Sequence, residues 1–284
     1  MTGEIQMRDN TTVVIEAATA IRDAEVIIIT AGAGMGVDSG LPDFRGSEGF
    51  WQAYPPYAAR GLSFVDCANP DHFATDPGFG WGFYGHRLHQ YRETTPHAGF
   101  ATLLQWCQKS GRASWVVTSN VDGQFQKAGF PEEQLLEIHG SIHWLQCSIP
   151  CGRAIWENTE AIPVAMSTMR ARSIPRCPRC GVVSRPNILM FGDWGWIGDR
   201  TEQQQQRWNS FLEAQYGKRT VVIELGAGTA VPSIRALSER LGRRPETMVV
   251  RVNLREPEII PPHLSLRAGA ADALKHLECL VASQ

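Results

Sequence analysis

Four cysteines in two close pairs are the clearest chemistry in this 284-residue chain. Cys147 and Cys151 enclose three residues, and Cys177-Pro178-Arg179-Cys180-Gly181 supplies the second pair further on. Two thiolate pairs of this kind suit one tetrahedral zinc ion, although the first is one residue wider than C-x2-C. Pro178 and Gly181 favour the turn that would aim both sulfurs of the second pair at the same ion. Four thiolates leave no position open for water, so the zinc expected here is structural. Cys67, Cys107 and Cys279 have no such neighbours and read as core or surface residues.

Two glycine-rich turns offer a second chemistry. Gly32-Ala33-Gly34-Met35-Gly36 follows the apolar run Val26–Thr30, and Gly226-Ala227-Gly228-Thr229 follows Thr220–Leu225. A turn of this type after a strand lets backbone amides approach a phosphate and aims a helix N-terminus at it. Val37 stands where G-x-G-x-x-G would place its last glycine, so the first turn does not specify a dinucleotide by itself. Taken together the two turns point to NAD or a relative, and they leave hydride transfer and glycosyl chemistry both open. One of eight histidines, His139, lies just after the strand-like segment Leu135–Ile138; His143, four residues along, shows how little one histidine means alone.

The elements that must position these groups alternate along the chain. Val14, Ile15, Ala18 and Ile21 share a helical face in Thr12–Ala24, and Phe100, Leu103, Leu104 and Cys107 form another stripe that Gly111 can end. Strands are expected at Val26–Thr30, Trp115–Thr118, Asn187–Met190, Thr220–Leu225 and Met248–Val252, with helices near 201–216, 231–241 and 270–279. That alternation predicts an α/β fold, a Rossmann-like parallel sheet with helices on both faces. Two stretches break the rhythm: 47–96, rich in Gly, Pro and aromatics and read as loops with short helices, and 142–186, which holds the cysteines. Both read as insertions forming a small helical and zinc-binding domain, leaving 1–46, 97–141 and 187–284 for the nucleotide-binding domain.

Composition narrows the rest. Hydrophobic residues at 43% and charged residues at 20% are ordinary for a globular chain, and a net charge of −2 gives no reason to expect a nucleic-acid or membrane partner. Seven cysteines, an odd number, argue against a complete disulfide framework and make the cytoplasm the expected compartment.

A longer segment adds a family resemblance. Gly32-Ala33-Gly34-Met35-Gly36-Val37-Asp38-Ser39-Gly40-Leu41-Pro42-Asp43-Phe44-Arg45-Gly46 resembles the sirtuin signature G-A-G-x-S-x-x-S-G-I-P-D-F-R. In the same order, Thr118-Ser119-Asn120-Val121-Asp122 with Ala128-Gly129 looks like T-Q-N-I-D…A-G, and His139-Gly140-Ser141 like the catalytic H-G-S. The cysteines stand where the sirtuin zinc module stands, Arg185–Asp193 resembles R-P-x-V-V-x-F-G-E, and Val252-Asn253 resembles a late I-N. The likeness runs from about Thr12 to Leu280.

The resemblance implies an NAD-dependent protein lysine deacylase that passes the acyl group to ADP-ribose and releases nicotinamide, with an acyl-lysine protein or peptide as substrate. It also implies roles. Gly32, Ala33, Gly34, Asp43, Phe44 and Arg45 would line the NAD pocket, Ser119, Asn120 and Asp122 would hold ribose and carboxamide, and Gly226, Ala227, Gly228, Asn253 and Ala270 the adenosine half. His139, with Asn120 and Asp122, would be catalytic, the imidazole taking a proton from a ribose hydroxyl. Tyr84 and Arg87 match the Y-x-x-R of sirtuins that remove succinyl and malonyl groups; at i,i+3 they share a helical face, and a guanidinium pairs well with a carboxylate.

The chain departs from the sirtuin pattern at Gly36, where the family has serine, at Ser119 for glutamine, and at Ala227-Gly228 for Thr-Ser; Gln124 and Phe125 replace a leucine-histidine pair. Each of the first three removes or shortens a polar side chain near the expected NAD, and one lost buried hydrogen bond costs about 0.5–1.5 kcal/mol. These departures keep two alternatives open: an NAD-consuming ADP-ribosyltransferase or NAD hydrolase, and a non-catalytic NAD-sensing module. A hydride-transferring dehydrogenase ranks last, since P-D-F-R and the cysteine module have no role in one.

Overall fold

The computed structural model describes residues 10–42, 54–109 and 111–282. In chain order the helices of ten residues or more and the strands are α1 (Asn10–Asp23), β1 (Val26–Ala31), α2 (Pro77–Glu93), α3 (Ala98–Cys107), β2 (Ala113–Thr118), β3 (Leu135–Glu137), β4 (Gly140–Cys147) and β5 (Ile155–Glu157). They continue with β6 (Val164–Ala165), β7 (Arg170–Ala171), β8 (Ser184–Ile188), α4 (Asp199–Ala214), β9 (Thr220–Leu225), α5 (Ser233–Gly242), β10 (Thr247–Val252), β11 (Leu264–Leu266) and α6 (Ala270–Ala282). The chain divides into two units: unit 1 holds residues 1–38, 97–117 and 211–284, and unit 2 holds 39–96 and 118–210. No helix among the described residues is long and apolar enough to cross a membrane.

Unit 1 is the parallel sheet and its helices. The strands run in the order β11-β10-β9-β1-β2, with β1 in parallel register against β9 from Val26↔Thr220 to Ala31↔Leu225, and β10 parallel to both β9 and β11. Every residue of β1 is buried, which requires cover on both faces and explains its unbroken apolar run. α5 lies against β9, β10 and β1, while α6 packs against both α1 and α3. The inward face of α1 is Val13, Ala17, Ala18 and Ile21. A buried ion pair ties β9 to β10: Arg251 donates to both oxygens of Glu224, at 2.5 and 3.0 Å, and also to Glu239.

Unit 2 is built differently. β4 is the centre of an antiparallel sheet ordered β5-β4-β8, and β6 pairs with β7. Of the segment expected as a strand at Asn187–Met190, Asn187 and Ile188 form the end of β8, so they join this antiparallel sheet and not the parallel one. Alternation along the sequence cannot reveal that, because pairing partners are a tertiary choice. The stretch read as loops with short helices contains α2, a 17-residue helix. Four glycines, at 78, 80, 82 and 85, hid it, since each costs about 1 kcal/mol against alanine in a helix. Packing supplies the reason for two of them. A Cβ at Gly82 would collide with the Met169 carbonyl, and one at Gly85 would come within 2.8 Å of Ile162. Phe79, Trp81, Phe83 and Tyr84 of the same helix are buried in the apolar core of the unit, and Asp76 caps its start by accepting from the Phe79 N–H.

Candidate active site and zinc centre

In unit 1 the two glycine turns stand at the carboxyl ends of the adjacent parallel strands β1 and β9, the place where open α/β sheets bind ligands. Their backbones interlock. Gly32 N–H donates to the Leu225 carbonyl and Gly34 N–H to the Gly226 carbonyl, both at 3.0 Å. A Cβ on Gly32 would sit 2.8 Å from the Ala227 Cα, and one on Gly226, whose φ is +60°, would run into Gly34 and the Met35 nitrogen. Glycine is required at both because backbone touches backbone there.

Asn253 lies beside these turns with its side chain already employed. Its Nδ2 donates to the Ala227 carbonyl at 2.7 Å, and its Oδ1 accepts from the N–H groups of Arg255 and Glu256 at 3.0 Å. The buried amide thus shapes both the 226–229 turn and the 253–256 turn. Ala270 opens α6, and the next amide, Ala271 N–H, donates to the Asp38 carboxylate at 2.8 Å. Asp38 therefore neutralises the positive end of that helix. Asp43, Phe44 and Arg45 lie outside the described residues.

Unit 2 gathers Ser119, Asn120, Asp122 and His139. The Ile138 N–H donates to the Thr118 carbonyl at 2.9 Å, which brings the end of β3 against the 118–123 turn, and the Asn120 N–H donates to the Thr118 hydroxyl. His139 is half-buried between β3 and β4. Burial lowers its pKa below the ordinary histidine value, and a hydrogen bond to the Ser119 backbone offsets part of that. The imidazole is therefore neutral near pH 7 and able to take a proton.

Asp122 is only 7% exposed. Desolvation pushes its carboxyl up to about 6; the Glu137 charge adds to this, while the Gln124 N–H and Arg87 work against it. Its Oδ1 accepts from the Gln124 N–H at 2.9 Å, and Gln124 in turn reaches the Tyr91 carbonyl. Gln124, Tyr91 and His143 were not singled out for this turn by the sequence reading. Gln124 had shown only as a departure from the leucine of the sirtuin pattern, and nothing in the residue order brings Tyr91 to the turn.

Tyr84 and Arg87 do share a face of α2, and that face points into the core. Tyr84 is 1% exposed. The Arg87 guanidinium donates through Nε and Nη2 to the Tyr91 hydroxyl at 3.0 and 2.6 Å, and the rings of Phe64, Phe83, Tyr84 and Tyr91 lie 5.1–5.7 Å from it. Burial opposes the charge, but these tyrosines outweigh it and hold the pKa above the usual arginine value.

The four cysteines converge. Their sulfurs all lie within 4.8 Å of one another, with Cys147–Cys180 and Cys151–Cys177 at 3.7 Å. A tetrahedral zinc with bonds of about 2.3 Å needs sulfurs about 3.8 Å apart, so the geometry fits. For Cys177 burial raises the thiol pKa, but the N–H groups of Cys180 and Arg179 and the neighbouring thiols outweigh it and bring the value to about 7. Gly181, at φ +75°, turns the chain so that its N–H meets the Cys177 carbonyl at 2.9 Å. Cys67 and Cys107 are buried apart from this group, and burial raises their thiols to about 12 and 11.

The R-P-x-V-V-x-F-G-E-like segment proves to be a scaffold. Arg185 pairs with Asp193 at 2.7 Å with both side chains almost fully buried, and Asp193 also accepts from Met190 N–H and Gly195 N–H. Asn187 reaches Gln146 of β4 and the Ile197 carbonyl.

Known proteins agree with this arrangement. Residues 32–231 match the model of the Sir2 family. An NAD-dependent protein deacylase of Thermus thermophilus is 29% identical over 264 residues, 91% of each chain, and one of Pyrococcus furiosus is 28% identical over 265 residues, 92% of this chain and 95% of the relative. A crystal structure of a Sir2 homologue with NAD superposes with a TM-score of 0.68 at 22% identity, covering 94% of this chain and 93% of that one. With the family model matched over residues 32–231, well over half of its length, the chain belongs to the Sir2 family.

Proposed function

We propose that this protein is an NAD-dependent protein lysine deacylase acting on acyl-lysine peptides in the cytoplasm, with acidic acyl groups such as succinyl, as well as acetyl, among its substrates. The observation that carries the reading is His139, an imidazole that burial keeps unprotonated on the H-G-S motif of a Sir2 chain. NAD supplies an activated ribose carbon, whose bond to nicotinamide gives way as the acyl oxygen attacks. The remaining work falls to the chain. The interlocked turns at Gly32–Gly34 and Gly226–Gly228 offer backbone to the adenosine and phosphates. Asn120 and Asp122 orient ribose and carboxamide, and the elevated pKa of Asp122 lets it donate as well as accept below about pH 6. His139 takes the proton from a ribose hydroxyl.

The acidic acyl preference rests on the Y-x-x-R match of Tyr84 and Arg87: the guanidinium is charged and would pair with a carboxylate, although in this structure it lies in the core, bonded to the Tyr91 hydroxyl among four aromatic rings. The four thiolates hold a structural zinc that keeps β4, β5 and β8 together and takes no part in the reaction.

The test is nicotinamide release from NAD by the purified protein, alone and with acetyl-lysine or succinyl-lysine peptides. Stimulation by either peptide supports the deacylase, and the stronger of the two names the acyl class. Equal release without peptide would move the protein to the hydrolase or ADP-ribosyltransferase reading, with Gly36, Ser119 and Ala227 as the first residues to restore.

A further inference from the structure

The strand carrying the H-G-S motif leaves its ladder where a second histidine sits. On β4, Ser141 faces Asn187 of β8 and Leu145 faces Pro186, so residues 142–144 bulge against a single step of the partner. Bulges re-aim side chains, and they are frequent beside active sites. From this bulge the Ile142 N–H donates to the Val121 carbonyl at 3.0 Å, and His143 Nε2 meets the Asp122 carbonyl at 2.9 Å. A carbonyl only accepts, so the ring carries its proton on Nε2. Two successive carbonyls of the Asn120–Asp122 turn are thereby held by two successive residues of the bulge.

Gly123 completes the fit. Its φ is +71°, and a Cβ there would come within 2.7 Å of His143 Cδ2 and 2.8 Å of Nε2. The bulge itself is anchored by the Asn158 N–H, which donates to the His143 carbonyl at 2.8 Å. His143 also borders a cavity of about 320 Å³ whose wall includes Tyr91, Asp122, Gly123, Ser141 and Trp144.

We propose that His143 is a positioning residue for the deacylation reaction. Its Nε2–H clamps the Asp122 carbonyl and fixes the turn in the conformation in which Asn120 and Asp122 receive the NAD. The clamp needs a donor at 143 and a glycine at 123, since any side chain on 123 would displace the ring. As a contribution to reaction it rests on the reading of Asn120 and Asp122 as NAD-contacting residues; as a clamp on the turn it does not.

Two variants separate the donor from the bulk. His143→Leu keeps volume and loses the donor, whereas His143→Gln carries an amide N–H that reaches the position of Nε2. Nicotinamide release is measured with NAD and acyl-lysine peptide varied separately, and hydrogen exchange is followed across 119–128. In His143→Leu the KM for NAD is expected to rise about five- to tenfold, as for one lost buried hydrogen bond. The KM for peptide should stay unchanged and the 121–124 amides should exchange faster. His143→Gln should return both readouts close to the parent. Leu and Gln variants that behave alike would overturn the proposal, as would a Leu variant with lowered Tm but unaltered KM for NAD. Exchange needs no turnover. A parent that releases no nicotinamide with any acyl-lysine peptide defeats the deacylase reading, while the exchange of the Leu variant still decides the clamp.

Discussion

His139 and His143 stand four residues apart and face different partners, the Ser119 backbone for one and the Asp122 carbonyl for the other. Burial lowers the pKa of both, so a titration curve alone would not tell them apart. Substitution does. His139→Ala should reduce peptide-dependent nicotinamide release by at least about 100-fold, the usual scale for a missing general base, with the far-UV spectrum and Tm nearly unchanged. Loss of folding would contradict the assigned role. Asp122 makes a pH-dependent prediction. Its carboxyl titrates near 6 in the folded state against an ordinary 3.8, so between those values the folded chain keeps a proton that the unfolded chain has lost. Stability from this group therefore falls as pH rises from about 4 to 6. Asp122→Asn should raise stability at pH 7.5 by on the order of 2 kcal/mol and by much less at pH 4. A gain independent of pH, followed by urea melts, would refute the desolvated carboxyl.

Among the elements, the glycine turns make the sharpest case. Gly226 combines a positive φ with direct contact to the Gly34 backbone, so Gly226→Ala must both strain its own backbone, by about 1–2 kcal/mol, and separate the turns. It should weaken NAD binding in a calorimetric titration at least tenfold. Gly217→Ala, at φ +78° with open space around the new methyl, carries the strain alone and should leave NAD affinity as it was. Equal losses in the two would mean that the contact between turns is unimportant. At the same scale, β4 carries the H-G-S motif into the zinc site, beginning with Gly140 and ending with Cys147. Cys177→Ser should leave the purified protein with less than one zinc per chain; unchanged metal content would remove the four-thiolate site.

For the molecule as a whole, the chain divides into two compact units, and the four cysteines lie in one of them. Chelating the zinc should speed hydrogen exchange in β4, β5 and β8 while β1, β9 and β10 stay protected, because metal binding energy is folding energy for the segment that the four cysteines tie together. Uniform loss of protection across both sheets would show that the zinc supports more than its own unit. Much of this organisation was open to reading before any coordinates. The apolar runs of β1, β9 and β10, alternating with helical stretches, read as strands of a parallel sheet covered on both faces, and the two cysteine pairs suit one ion, because these are properties of composition and spacing. The four glycines hide α2, and the apolar segment Asn187–Met190 reads as part of the parallel sheet, because the close approach of Met169 and the partnership with β4 exist only in the folded chain. The sequence by itself determined the family resemblance, the fold class and the ligand types. Tertiary structure alone decided that Arg87 would be walled in by aromatic rings, that Asn253 would bind the backbones of Ala227, Arg255 and Glu256, and that His143 would be turned onto the Asp122 carbonyl. Each of those depends on which side chains share a buried space and must satisfy one another there, and residue order alone does not specify that.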